Sequence, residues 1–216
     1  MIAKTVLCFG DSNTHGTPPV PHLGASGRYD RSTRWPAMMA GHLGPDWHVI
    51  EEGHPGRTTV HDDPIEGAHR NALTVLAALL ESHNPIDAVI LMLGTNDLKG
   101  RFSVNATDIA LSLERLIGVI RAVACGPNGT SPGILLVAPP AIVEVGCLAE
   151  MFEGGAAKSH GLCAAIAAAA TRANVSFLDA GAHIAVSPID GIHYDKATHA
   201  TLALVLADAL RKNFPG

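Results

Sequence analysis

Aromatic side chains are scarce in this sequence: two Trp, two Tyr and five Phe, 4% of 216 residues. Proteins that hold single-stranded nucleic acid stack bases on such rings, so that class of partner is not expected. Charge argues the same way. Lys and Arg number 15 against 20 Asp and Glu, a formal net charge of −5, and no basic cluster stands ready to neutralise phosphates. Long apolar runs are missing too. The alanine-rich stretch 163–170 falls well short of the ~20 residues a spanning helix needs, and Arg172 follows it; no membrane partner is expected. Cysteine is limited to Cys8, Cys125, Cys147 and Cys163, without paired spacing and mostly in apolar surroundings. Free thiols in a reducing compartment, not a disulfide framework, are the expectation. Met1-Ile2-Ala3-Lys4-Thr5 leads straight into apolar residues, with neither the basic region nor the cleavable stretch of a secretory leader. The expected location is the cytoplasm.

What the chain does have is apolar content and alternation. Hydrophobic residues make up 47% and charged ones 16%, the balance of a globular α/β protein. A chain of this length buries roughly 70% of its unfolded surface as one domain, here residues 1–216. Apolar runs near 5–9, 48–52, 86–93, 134–138 and 175–178 read as strands. Helical periods fall near 34–43, 68–82, 106–124, 156–172 and 196–212. The third is plainest, with Ile109, Leu113, Leu116, Ile117, Ile120 and Val123 at three- and four-residue steps. Strands alternating with helices pair in parallel through right-handed crossovers. The predicted fold is a three-layer α/β/α domain, flavodoxin-like, around a central five-stranded parallel sheet.

Chemistry gathers where these strands end. Phe9-Gly10-Asp11-Ser12-Asn13-Thr14-His15-Gly16 follows the first apolar run, with a glycine that permits a sharp turn and a serine where a helix would start. Unpaired N–H groups at a helix start can face a developing oxyanion. Serine there also serves as an N-cap, so Ser12 alone decides nothing. Asp190-Gly191-Ile192-His193 supplies a complement. Three residues apart, an Asp and a His fit on one side of a single turn; the carboxylate can accept the Nδ1–H and leave Nε2 free for a serine proton. The competing reading is a loop Asp capping the helix near Lys196, beside an incidental His. Between these ends, Gly56 follows the second strand and can offer an open backbone N–H, and Asn96 follows the third and offers a side-chain amide. A hydroxyl, a backbone donor, an amide donor and an Asp–His pair are the components of a serine acyl hydrolase with a three-donor oxyanion hole. Ligands of open parallel sheets bind at strand carboxyl ends, and all four segments fall on that edge.

Taken in order, Gly-Asp-Ser, Gly, Gly-x-x-Asn and Asp-x-x-His resemble the four blocks of the SGNH hydrolases, the GDSL esterase superfamily, over nearly the whole chain. Glu51-Glu52-Gly53, Arg57-Thr58-Thr59, Asp62-Asp63-Pro64, residues 92–99 and Phe152-Glu153-Gly154-Gly155 are similar to its bacterial arylesterase/acyltransferase branch. The resemblance implies the SGNH hydrolase fold and a serine esterase that needs no cofactor. Ser12 would be the nucleophile, His193 the base and Asp190 its orienter, with the Ser12 and Gly56 N–H groups and the Asn96 side chain as oxyanion donors. Small aryl or alkyl esters of short acyl chains are the implied substrates, with acyl transfer to alcohols in water, or sugar deacetylation, as alternatives. A homo-oligomer is implied as well. Asp11, Asn13, His15 and Ile192, neighbours of the nucleophile and the base, are candidates for the substrate pocket. Asn13 and His15 stand where that branch usually carries Leu and an aromatic, which makes the mouth more polar. His15, one turn after Ser12, is expected either at the entrance or turned away from the cleft against the loop 17–33.

Other features compete with this reading. Gly129-Thr130-Ser131-Pro132-Gly133 matches the Gly-x-Ser-x-Gly elbow, but it precedes a strand instead of following one, and Pro132 opposes a helix. It reads as a surface turn. His54, His61, Asp62, Asp63 and His69 are ligand types for zinc or manganese, as a metal-dependent phosphoesterase would need. No His-x-x-x-His pair accompanies them, and Arg57 and Arg70 are at hand for the carboxylates, so no metal is expected. A non-catalytic binding module is the third class, and no residue favours it. Segments 17–33 and 139–155 are long and irregular; they are expected to wall the cleft or to pack against another subunit.

Overall fold

Residues 88–92 are apolar at every position and buried at every position, as a strand covered on both faces must be. In the computed structural model, which describes residues 3–215, this strand is the centre of the sheet. The elements run β1 (Lys4–Gly10), the one-turn α1 (Ser12–His15), α2 (Trp35–Leu43), β2 (Trp47–Gly53), α3 (Ala72–Ser82), β3 (Ala88–Met92), α4 (Ala106–Val123), β4 (Gly133–Ala138), α5 (Gly155–Ala173), β5 (Ser176–Asp179) and α6 (Lys196–Asn213). All strand pairs are parallel, in the order β2-β1-β3-β4-β5. The order is flavodoxin-like, and the five parallel strands are those the alternation predicts.

Because strand side chains alternate, each strand feeds two cores. Leu7, Phe9 and Leu91 pack with Leu76, Leu113, Ile117 and Ile166 from α3, α4 and α5. Cys8, Ile90 and Val137 pack with Trp35, Met39, Leu202 and Leu206 from α2 and α6. Burying a side chain of this size contributes about 1.5–3 kcal/mol, so both helical layers are held by apolar contact. The period read in the third helix matches its buried face, Ile109, Leu113, Leu116, Ile117 and Ile120. Asn105 and Asp108 close its start with a capping box. The helix read over 68–82 divides in two. A separate 3-10 turn occupies Ala68–Arg70, and Asn71 caps the Leu73 N–H at 2.9 Å, so α3 begins only at Ala72.

Register then gathers the motifs. Gly10 at the end of β1 pairs with Gly53 of β2 and with Met92 of β3, so three strands end at one level. Ser12, Gly56 and Asn96 leave the sheet there. Chain order also reverses between β1 and β3, the place where open parallel sheets form a crevice. No helix among the described residues is long and apolar enough to cross a membrane.

Candidate active site

Asp11, not Ser12, caps the short helix after β1: its carboxylate accepts the Asn13 N–H at 2.9 Å. The Ser12 hydroxyl is thereby free, and it lies 3.1 Å from His193 Nε2. His193 Nδ1 meets Asp190 Oδ2 at 2.6 Å. The Asp190 turn is built on the same carboxylate, whose Oδ1 takes the N–H groups of Ile192 and His193 at 3.0 Å each. The helix at Lys196 is capped instead by Asp195, which accepts from Thr198 N–H at 2.8 Å. Asp190 is therefore free for the imidazole. Burial works against its charge. The hydrogen bond and charge of His193, with the N–H groups of His193 and Val20, outweigh that and hold its pKa at about 2. A serine hydroxyl on an imidazole held by an ionised carboxylate is the arrangement that turns serine into a nucleophile.

The oxyanion side is framed from three strand ends. Asn96 Nδ2 spends one hydrogen on the Arg57 carbonyl, at 3.1 Å, which leaves the second for a ligand. Arg57 is itself buried; its guanidinium donates to Gly10 O at 2.8 Å and to Glu52 O, and lies 4.2 Å from the centre of the Phe9 ring. Burial pushes its pKa down to about 10, against Glu52 and Asp11. Asp97, fully buried, accepts from Thr59 N–H at 3.1 Å and from Thr59 Oγ1 at 2.5 Å. Burial drives the Asp97 carboxyl upward in spite of these bonds. Gly56 adopts φ +73°, and a Cβ there would come within 2.6 Å of Glu66 Oε2, so the position favours glycine on both counts. Among the described residues, neither the Ser12 N–H nor the Gly56 N–H donates to another residue. Both are available to an anionic oxygen.

A cleft of about 180 Å³ joins these groups, with Ser12, Gly56, Asn96 and His193 on its lining. It is smaller than the roughly 300–1,000 Å³ of drug-sized ligand sites. Ile192, Leu148, Met151 and Phe152 form an apolar wall, and Glu66 and Lys99 a polar one, with Lys99 Nζ on Glu66 Oε1 at 2.5 Å. Segments 17–33 and 139–155 both reach the cleft, through Thr17 and through Leu148 to Phe152.

Of the four pocket candidates, Ile192 lines this cleft; Asp11, Asn13 and His15 do not. Asp11 is taken up by capping, and burial raises its pKa to about 6, against the Asn13 N–H, His193 and Arg57. Asn13 Nδ2 ties the nucleophile turn to Ile192 O at 3.1 Å. His15 is not an entrance residue but takes the other course, away from the cleft and toward the loop 17–33. Its helix is a single turn that reverses at Gly16 with φ +87°, and its backbone packs on Gly53 of β2. Its Nδ1 then lies 3.1 Å from Thr17 Oγ1, so it reaches the cleft only through Thr17. Burial first, then Arg28 and Arg34, lower its pKa to about 4.

The remaining histidines and carboxylates disperse. His54 packs edge-on against His69 with ring centres 5.6 Å apart, Asp62 takes the Asn71 amide and Asp63 takes Arg101. Among the described residues no group of three or more His, Cys, Asp or Glu is placed to hold a metal ion. Sequence reasoning missed Arg57, Asp97, Lys99, Glu66 and the Val20 N–H as site residues. Arg57 and residues 92–99 lay inside family-like blocks; Val20 carries no signal, because it acts through its backbone.

The family model described as GDSL-like lipase/acylhydrolase matches residues 8–202. The chain belongs to this family. No curated protein sequence matches it, but solved structures do. The native aryl esterase of M. smegmatis superposes with a TM-score of 0.93 at 38% identity, covering 98% of this chain and 100% of that one. Est24, a carbohydrate acetylesterase from Sinorhizobium meliloti, gives 0.92 at 40% identity, over 98% and 100%. A carbohydrate acetylesterase family member from the same organism gives 0.88 at 36% identity, over 97% and 98%. Fold and family are thus those of a GDSL esterase, an acylhydrolase with the SGNH hydrolase fold.

Proposed function

We propose that this GDSL esterase hydrolyses small aryl or alkyl esters of short acyl chains through an acyl-enzyme. His193 takes the Ser12 proton as Oγ attacks the ester carbonyl. The oxyanion that forms is met by the Ser12 N–H, the Gly56 N–H and the free hydrogen of Asn96 Nδ2. Protonated His193 releases the alcohol, and water, deprotonated by the same imidazole, frees the acid. The observation that carries this reading is the unbroken line Ser12 Oγ, His193, Asp190 at 3.1 and 2.6 Å. The 180 Å³ cleft supports a small ester. A p-nitrophenyl acetate assay with organophosphate titration tests it: one equivalent of label on Ser12, and none on Ser12→Ala, is expected. Activity or labelling that survives Ser12→Ala would end the serine mechanism.

A second substrate class, sugar acetates, is favoured by the Lys99–Glu66 wall of the cleft, since both side chains can bond hydroxyl groups, and by the likeness to Est24. A parallel assay on acetylated monosaccharides separates the two by kcat/KM. Transfer to an alcohol competes with hydrolysis at the acyl-enzyme stage in either case. We also propose a homo-oligomer in the cytoplasm. Leu23 and Val143, 67% and 48% exposed, lie in the two long loops, and four free thiols suit a reducing compartment. Light scattering giving 22.4 kDa at micromolar concentration would exclude the oligomer.

A further inference from the structure

Prolines at 18, 19 and 21 leave Val20 as the only backbone N–H donor between residues 18 and 21. That donor is not spent on solvent. Val20 N–H lies 2.6 Å from Asp190 Oδ2, the oxygen that also faces His193 Nδ1 at 2.6 Å. The bonds to Oδ1 come from Ile192 and His193, inside the Asp190 turn itself. Val20 is thus the donor that reaches the carboxylate from another part of the chain, 170 residues away in sequence. Its own carbonyl is held in turn, because Cys147 Sγ donates to Val20 O at 3.3 Å. The Cys147 segment is locked to the Asp190 turn as well. Val143 N–H bonds Gly191 O at 3.0 Å, and a Cβ on Gly191, at φ +71°, would come within 1.7 Å of Val143 O.

We propose that the Val20 backbone amide is a positioning group for catalysis: it fixes the Asp190 carboxylate rotamer and tempers that carboxylate's hold on the imidazole proton. The inference rests on the serine mechanism above. Two donors on one oxygen share its charge, so each holds it less strongly than it would alone. Without Val20 the carboxylate binds the imidazolium more tightly and gives it up less readily to the neutral base that attack requires. It also loses one of the four bonds that hold its rotamer, which loosens the aim of Nε2 at Ser12. The other titratable side chains that feel the pair are Asp11 at the cap of α1, Tyr29 in the following loop and His199 in α6. None of them bonds Val20.

The cleanest perturbation replaces Val20 by its α-hydroxy analogue, which puts an ester oxygen where the N–H was and keeps the side chain. Val20→Ala keeps the donor and serves as control. With p-nitrophenyl acetate across pH 5–9, the ester variant is expected to lose about tenfold in kcat with KM within about twofold. The acid limb of its profile should move up by about half a pH unit. Val20→Ala should keep the wild-type limb and lose less kcat than the ester variant. A purely structural role would lower the active fraction, read by organophosphate titration of Ser12, without moving the limb. An ester variant with wild-type kcat and limb, or an alanine variant as impaired as the ester, overturns the inference. Wild-type protein that takes no label on Ser12 overturns the serine mechanism instead.

Discussion

Replacing Asp190 by Asn changes one oxygen to an NH2 at nearly constant volume, and the surroundings make that change severe. Four N–H groups converge on the carboxylate: Val20 N and His193 Nδ1 at 2.6 Å on Oδ2, Ile192 N and His193 N at 3.0 Å on Oδ1. A side-chain amide accepts on one oxygen only, so two donors are left facing an NH2 whichever way it lies. The imidazole can escape this conflict by moving its proton to Nε2. That makes Nε2 a donor toward Ser12 and removes the base. The wrong tautomer lowers kcat by roughly 10⁴ in a Ser-His-Asp triad, and the same loss is expected here, with KM little changed.

Folding should respond too. Asp190 is fully buried, and its pKa is held at about 2 against an ordinary 3.8. At about 1.36 kcal/mol for each pKa unit, the ionised group contributes roughly 2–2.5 kcal/mol of stability at neutral pH. The folded pKa lies below the unfolded one, so the contribution is complete above about pH 4 and is lost as pH falls through about 2. Asp190→Asn should therefore unfold at lower urea than the wild type at pH 7, and the gap should narrow on titration toward pH 3. Turnover of p-nitrophenyl acetate, with urea titrations followed by circular dichroism at both pH values, measures the two effects. Retention of more than a tenth of kcat, or equal urea midpoints at pH 7, would refute the reasoning.

Asn96→Ala should lower kcat by roughly 10²–10³, the effect of losing one oxyanion donor, while organophosphate still labels Ser12; unchanged kcat would remove Asn96 from the hole. Asp11→Asn should stabilise the fold by about 2–3 kcal/mol in urea at pH 8, because burial raises the Asp11 pKa from 3.8 to about 6. The contribution of Asp11 to stability is full below about pH 4 and lost as pH rises through 6, so the gain should fade in acid; a variant less stable at pH 8 would count against this. His15→Trp should leave the ratio of alcohol transfer to hydrolysis unaltered, since His15 stands outside the cleft; a product ratio shifted severalfold in gas chromatography would return it to the entrance.

Strands, helices and the catalytic edge were legible because each rests on local pattern. The run 86–93 needs no partner to read as a buried strand, and the period of α4 names its buried face. A polar residue just past such a run falls at a strand end whatever the rest of the fold does, which is why Ser12 and Asn96 could be placed. Local pattern is silent on which of two adjacent polar residues caps a helix. Asp11 does so, and Ser12 is released for His193. It is equally silent on what a one-turn helix packs against, and the His15 backbone, which lies on Gly53 of β2, takes the side chain away from the entrance.

The supports of the site were illegible for a different reason. Arg57, Asp97 and Val20 act across separations of 47, 38 and 170 residues, and only the finished topology sets those distances. They share one task. Arg57 joins the ends of β1 and β2 and turns its carbonyl to Asn96; Asp97 joins the end of β3 to Thr59; Val20 joins the first long loop to the triad carboxylate. Two of the three place a charged side chain where burial opposes its charge, Arg57 brought down to about 10 and Asp97 driven up. Buried charge is a poor source of stability even when paired. Its use at the rim of an oxyanion hole has a direct catalytic reason. Donors that are already aimed need not reorganise when negative charge develops on the substrate oxygen, and a frame of buried, multiply bonded groups keeps Asn96 and Gly56 aimed before any ester arrives.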